Sequence, residues 1–341
     1  NQMVKYGLYK DYHTNFDADR ENGSEWVWGV QHSANDGLPG VNPANASHDM
    51  VYISTQNSAT GGRGYGFFTP THWFVAHFRV DENGLPFVGD ANPRVVKNDE
   101  GLSSVDPFTP ETDPLDPRLD WTVGRRGIPF LDYGIMPGRN WIRDQASSGP
   151  YMSKKFFTLG KDNGKYTAGR TNNALNIALI RYSDVILMAA EAEARVGNLD
   201  RARILVNMVR NRMATNTNSP ENWVKKLDGT NAANYMIGTY PAGSATFSTR
   251  QNALQAILHE RLLELGLEGH SAYDVVRFGM ADNNATVVSY FNAFLNYEAR
   301  FRGYLNGARY SKEKGIIPIP QKAIDNSVLD GKVTLKQNPG Y

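Results

Sequence analysis

The sequence contains no cysteine, which excludes disulfides and thiolate metal sites and leaves the compartment open. It has no apolar run approaching the roughly 18 residues of a membrane-crossing helix. Its first residues, Asn1-Gln2-Met3-Val4-Lys5, do not form a signal peptide. An excess of either charge is also missing: 36 Lys and Arg stand against 35 Asp and Glu in 341 residues. That balance gives no electrostatic footprint for nucleic acid and no basic stretch for a membrane surface. There is no fixed repeat and no low-complexity segment. A chain of this length can bury a sizeable core, as one large domain or two smaller ones.

Glycine and proline are present in quantity but unevenly. Of 17 prolines, 12 lie in residues 1–170, as do 20 of 32 glycines and five of six tryptophans. Both residues interrupt regular elements, so residues 1–170 are expected to be loop-rich and aromatic-rich, with short strands. Loops on a stable scaffold are where binding sites concentrate. Residues 171–341 read as helical with an extended tail, and the two regions are expected to form one compact unit.

The clearest helix is expected from about Asn176 to Val196. Val185, Met188, Ala189, Ala192 and Val196 recur at helical spacing and predict its buried stripe. Gly197 suits a left-handed helix end, and Asn198 suits a cap for the next helix. That helix carries Leu199, Ala202, Leu205, Val206, Val209 and Met213. So short a turn predicts an antiparallel helix hairpin of tetratricopeptide-like type. Ser248 and Gln251 predict a capping box before Leu254, Ile257, Leu258, Leu262 and Leu265. Gly266 and Gly269 end that helix. Ser271 and Asp274 predict another, stopped by Gly279. Ile316-Ile317-Pro318-Ile319-Pro320 cannot be helical and is expected to lie extended along the core.

These residues resemble the SusD/RagB family of Bacteroidetes outer-membrane nutrient-binding lipoproteins. Ile180 to Ala192 is similar to the family's "LRYADVLLMYAEA" helix, and Gly197-Asn198 with Ala202, Asn207, Val209 and Arg210 to its "GN…A…N.VR" helix. His259-Glu260-Arg261 through Phe278-Gly279 resembles "ERR.EL..EG.R..DL.RWG". Pro318-Ile319-Pro320 and Gln337-Asn338-Pro339-Gly340-Tyr341 resemble the "PIP…QNPGY" ending. In the first half, Pro70-Thr71 with Val75 and Phe78 resembles "PT..LVDAF", and Asp116 to Gly127 a "DPRLDWTVGRRG" segment. Ala76-His77 in place of "DA", and Ser271-Ala272 in place of Arg and an aromatic, depart from the pattern.

The resemblance implies a mainly α, SusD-like fold of tetratricopeptide-like helix pairs, decorated by a large loop-rich region with a few short strands. It also implies that this is the C-terminal portion of a longer chain, whose lipid anchor and first helices precede it. Its function would be to bind an oligosaccharide at the bacterial cell surface. It would deliver that ligand to a SusC-like TonB-dependent outer-membrane transporter, with no cofactor and no metal. A peptide-binding subunit of the same kind of uptake complex is the alternative, and a glycoside hydrolase a remote one.

Enzymatic and metal motifs fail on spacing. His259-Glu260 is followed by Leu263 where a zinc protease needs a second His, so His259 reads as a helix residue beside the core. Asp17, Asp19 and Glu21 begin like a calcium loop, but Asn22 and Trp28 occupy the Gly and bidentate Glu positions. They read as a solvated acidic turn. Gly160, Gly164 and Lys165 miss the phosphate-loop spacing, Gly61 to Gly66 miss the dinucleotide fingerprint, and Ser311 with Lys314 lacks companion motifs. A hydrolase needs only two carboxylates at a suitable separation, and Glu25, Asp120 and Asp132 would be first choices.

Sugar rings pack their C–H faces on aromatics while their hydroxyls seek planar polar groups. Asn57, Arg63, Tyr65, Phe67 and Trp73, around a glycine-rich loop, are therefore candidate ligand contacts, with Trp121, Arg125 and Trp141 as a second cluster. Tyr65 is the leading aromatic. Trp26 and Trp28 share strand parity with Val30 and are expected to be buried.

Overall fold

The computed structural model describes residues 5–33, 46–47, 68–162, 164–168, 172–214, 222–280 and 285–341. Its helices are α1 (His72–Ala76), α2 (Arg118–Thr122), α3 (Gln145–Ser148), α4 (Tyr182–Arg195), α5 (Leu199–Ala214), α6 (Arg250–Glu264), α7 (Ser271–Gly279), α8 (Ala285–Glu298) and α9 (Gln321–Asp325). The strands are β1 (Trp26–Val30), β2 (Ala46–Ser47), β3 (Val123–Gly124), β4 (Met152–Ser153), β5 (Thr167–Ala168), β6 (Asn172–Asn173), β7 (Ile177–Arg181), β8 (Val328–Leu329) and β9 (Lys332–Val333). They form antiparallel pairs β1–β7, β3–β4 and β8–β9 and a three-stranded β2–β6–β5 sheet. Most elements before α4 are under six residues, as the Gly and Pro content predicts. The molecule is mainly helical, with few and short strands.

The chain divides into compact units between Ser271 and Ala272, not at the compositional change near residue 170. The reason is visible in the first unit. β1 pairs with β7 across that change. One apolar core joins Phe74, Val75 and Phe78 of the α1 region and Leu119 of α2 to Leu262 and Leu263 of α6. Loop-rich and helical halves share a core, so composition is no guide to the packing boundary.

α4 and α5 form the expected hairpin. Gly197 closes the turn at φ +91°, a conformation that costs a residue with a Cβ roughly 1–2 kcal/mol. α5 buries Ala202, Leu205, Val206, Val209 and Met213 as its spacing predicts. Asn198 starts α5 with its carbonyl, but its side-chain amide donates to Glu193 (2.7 Å).

Three expectations about this region are corrected. Residues 177–181 are a strand, because their partner Trp26–Val30 lies about 150 residues away in sequence and supplies a ladder that local periodicity cannot reveal. The buried stripe of α4 is Ser183, Ile186, Leu187, Ala190 and Ala194, while Met188 and Val196 are 40% and 72% exposed. α4 has small and apolar residues on two faces, and packing against α5 and α6 selects the other one. α6 is capped by Thr249, whose hydroxyl accepts from Asn252 N–H (3.1 Å), one position beyond the expected Ser248.

Trp26 is buried, but Trp28 is 64% exposed and Val30 45%. Register irregularities between Trp26 and Trp28 and between Trp28 and Gly29 break the two-residue alternation that equated them.

The second unit holds α7 to α9 and the β8–β9 hairpin. Asp330 and Gly331 both take positive φ in its turn, the conformation that matches strand twist. Gln337 brackets Ile319, accepting its N–H (2.8 Å) and donating to its carbonyl (2.9 Å). Asn338 donates to Ile317 O (2.7 Å). The Pro-Ile-Pro segment is thus extended, yet Ile316 and Ile317 are 50% and 82% exposed. It is tied to the terminal residues rather than laid along a core.

Candidate functional site

Two features of the first unit bear on function: a buried ion network and a cleft beside α1. The network centres on α6. Arg118 binds Asp116 (2.8 Å), Glu260 (2.6 Å) and Glu264 (3.2 Å). Arg181 binds Glu25 (2.7 Å), Glu264 (3.1 Å) and Glu268 (2.7 Å). Arg210 binds Glu260 (2.7 Å), Arg212 binds Glu25 (3.0 Å) and Glu264, and Lys155 binds Glu268 (2.6 Å). Five cations meet five anions, so the cluster is neutral as a whole. Removing any one member leaves a buried charge without its partner.

Burial alone would raise the Glu264 pKa, but Arg212, Arg181 and Arg118 hold it well below the usual carboxylate range. A second pair lies nearby in the fold. Arg125 grips Asp120 through two N–H groups (2.6 and 2.8 Å), and Tyr235 OH donates to the same carboxylate (2.6 Å).

These contacts account for the carboxylates considered for hydrolysis. Glu25 and Asp120 are fully buried and ion-paired. Asp132 accepts the backbone N–H groups of Gly160 (2.6 Å) and Lys161 (2.9 Å). None of the three is a free acid or base on a cleft.

The basic groups of this core carry a pH signature. Burial pushes Lys154 down to about 7 and Lys155 to about 8. Lys154 donates to Asp120 O and Pro129 O, both at 2.6 Å. The unfolded chain binds these protons more tightly than the folded one, so stability falls as pH drops from the ordinary lysine range toward 7. Glu21, raised to about 7 by burial, acts oppositely but only below pH 7. The melting temperature should therefore rise between pH 7 and 9, and Lys154→Met should flatten that rise. A melting temperature that falls across the same window in thermal scans would contradict these assignments.

The cleft, of about 300 Å³, opens where α1 ends. Thr71 caps α1 by accepting from Phe74 N–H (3.2 Å). His77 follows, its Nδ1 2.7 Å from Trp73 O and its ring tilted against Trp73 and His259. Burial lowers its pKa, with partial opposition from Trp73 O and Asp90, so the imidazole is neutral at physiological pH. Arg79 is committed to four acceptors: Arg94 O (2.8 Å), Val95 O (2.9 Å), Asp113 (3.1 Å) and Glu111. Arg94 also pairs with Asp113.

The opposite wall is the 81–90 turn. Asp81 accepts from Asn83 and Leu85 N–H (2.8 Å each), and Gly84 turns at φ +71°. Gly238 N–H donates to Gly84 O (2.9 Å). Arg210 then donates to both glycine carbonyls, at 2.8 Å to Gly84 and 2.7 Å to Gly238. The ion network therefore reaches out and fixes this turn. Beyond it Phe87 projects 50% exposed into the cleft, with Asp90 half-buried beside it. An exposed ring flanked by Asp90, Arg94 and Asp113 is the combination of stacking face and planar polar groups that a sugar needs.

Of the residues singled out from sequence, Asn57, Arg63, Tyr65 and Phe67 lie outside the described residues. Trp73 and Trp141 are 4% and 2% exposed, one on α1 and the other packed against Phe130. Arg125 is held by Asp120. In these positions neither ring and no free guanidinium faces a ligand, because α1 and the Phe130 cluster need them as core. Trp121 is half-buried and donates to Asn222 O (3.1 Å). Phe87 and Trp28 were missed as exposed aromatics.

The acidic turn is solvated in part, with Asp19 exposed as expected. Asp17 is buried, and Glu21 accepts from Asn176 N–H (2.6 Å). Carboxylates of Asp17, Asp19 and Asp162 approach within 4.8 Å of one another, but Asp19 is already bonded to Lys165 and Tyr166. His259 sits in the core as expected, against His77 O (3.2 Å). No helix among the described residues is long and apolar enough to cross a membrane.

No curated protein matches the chain by sequence. Solved structures do match in fold. Surface glycan-binding protein A from Bacteroides thetaiotaomicron, in complex with laminarihexaose, superposes with a TM-score of 0.55 at 18% identity. That match covers 99% of this chain and 56% of the other. A SusD homolog from the same organism gives 0.58 at 17% identity, covering 98% and 56%. A SusD superfamily protein from Bacteroides vulgatus gives 0.54 at 19%, covering 95% and 54%. The chain thus spans just over half the length of these structures. The sequence profile of the SusD family matches residues 24–341. With that match across most of its length, in the fold those structures share, the chain belongs to the SusD family.

Proposed function

We propose that this chain binds an oligosaccharide at the bacterial cell surface, without turnover, as the ligand-capturing part of an outer-membrane nutrient-uptake complex. The ligand would pass to a SusC-like TonB-dependent transporter, and the chain would be held to the outer membrane by a lipid anchor elsewhere in the full protein. Family membership supports this reading, as does the fold shared with a protein solved in complex with laminarihexaose. The observation that carries it on this chain is the cleft, where exposed Phe87 stands with Asp90, Arg94 and Asp113.

Tyr65 and its neighbours Asn57, Arg63 and Phe67 are proposed as further contacts, from their residue types alone. Affinity would come from stacking and hydroxyl hydrogen bonds, which require no cofactor.

Calorimetry against an oligosaccharide panel, run beside a reducing-sugar assay, tests the reading. Saturable binding with no new reducing ends is expected. Tyr65→Ala should weaken binding about tenfold, the equivalent of roughly 1.4 kcal/mol for a lost aromatic stack. Release of sugar by the protein, or binding of peptides in place of glycans, would refute the proposal.

A further inference from the structure

The cleft walls specify more than "glycan". Their charges are Arg79 and Arg94 against Asp90 and Asp113, and Glu111, outside the lining, also pairs with Arg79. The two guanidinium groups differ in what they offer an anion. Arg79 is only 6% exposed and its N–H groups are taken by Arg94 O, Val95 O, Asp113 and Glu111. Arg94 has a side chain that is 69% exposed, and its charge is balanced by Asp113 through one nitrogen. Besides the exposed Arg94–Asp113 pair, a ligand meets the Phe87 face and one carboxylate oxygen each of Asp90, whose other oxygen accepts from Asn92 N–H (2.8 Å), and of Asp113, whose other oxygen holds both arginines. Those oxygens accept hydrogen bonds from hydroxyls and repel carboxylates and sulfates. A volume of about 300 Å³ lies at the small end of ligand pockets, which run from about 300 to 1,000 Å³. It suits one sugar ring rather than a stretch of chain.

We infer that this cleft receives a single neutral sugar unit of a glycan, stacked on Phe87 and hydrogen-bonded by Asp90 and Asp113, and that it rejects uronic and sulfated units. The inference rests on the glycan-binding reading above but can fail without it.

The test uses calorimetry with matched neutral oligosaccharides (gluco-, manno- and xylo-oligomers) and acidic ones (oligogalacturonate and sulfated chondroitin fragments). At least one neutral oligomer should bind, and Phe87→Ala should weaken it tenfold or more while leaving the melting temperature unchanged. Every acidic oligomer should bind at least tenfold more weakly than the best neutral one. Asp113→Asn, which releases Arg94 at an exposed position, should raise acidic-oligomer affinity at least fivefold.

Preference for acidic oligomers in the unaltered protein overturns the inference and leaves glycan binding standing. So does neutral binding that ignores Phe87→Ala, or that is lost instead with Trp28→Ala on the β1 face. Failure of every oligomer to bind removes the glycan-binding reading itself.

Discussion

Glu264→Ala is expected to lower the melting temperature by roughly 10 °C or more, from a destabilisation of about 3–5 kcal/mol in a unit of this size. Glu264 is fully buried and accepts from Arg118, Arg181 and Arg212. Its loss leaves five buried cations facing four anions, and the uncompensated charge has no route to water. The network as a whole is a different matter. A neutral set of buried ion pairs gives back much of its Coulomb energy as desolvation, so a well-packed apolar replacement can be neutral or stabilising. Glu264→Leu combined with Arg212→Met should therefore recover part of the single-variant loss. Glu82→Ala, at an exposed position, serves as control and should shift the melting temperature by under about 1 °C. A Glu264→Ala protein melting within 2 °C of the parent, about the effect of 1 kcal/mol or less, would mean that the cluster is hydrated and not the closed network described.

Gly238→Ala is expected to cost about 1–3 kcal/mol and to weaken ligand binding at the same time. A Cβ at this position would lie 2.0 Å from the carbonyl oxygen of Asn83. The Cβ is fixed to its own backbone and the oxygen it meets is backbone, so no side chain can rotate away, and the backbone on one side must move. One side is the 81–90 turn, which carries Phe87. The same substitution at Gly7, where nothing lies within 4 Å, should change neither property. Denaturant titration with parallel calorimetry checks both effects. A stable Gly238→Ala protein with unaltered affinity would detach the cleft from the glycine contact and from Arg210 behind it.

This coupling explains which parts of the molecule could be read in advance. Gly197, Gly266 and Gly279 mark helix ends through local backbone chemistry, and the helices end at or just before them, while Gly269 lies in the turn that precedes α7. The family motifs placed the fold as a whole. Whatever depended on distant partners was not readable. Residues 177–181 became a strand because β1 supplies the pairing, and the buried face of α4 was chosen by its neighbours. Glu260 and Glu264 look like solvent-facing helix charges until Arg118, Arg181, Arg210 and Arg212 converge on them. Phe87 is a single aromatic in a Pro-Phe-Val stretch, and the turn before it is held by Gly238 and Arg210, both distant in sequence. Trp73, Trp141 and Arg125 have the residue types of a sugar site, yet the core claims them.

The crystal structure of the protein soaked with the tightest-binding neutral oligosaccharide tests the central claim most directly. One sugar ring is predicted against the face of Phe87, its hydroxyls within hydrogen-bond distance of Asp90 and Asp113, with the glycosidic bonds intact. A sugar bound elsewhere with the cleft empty, or a cleaved ligand, would contradict it.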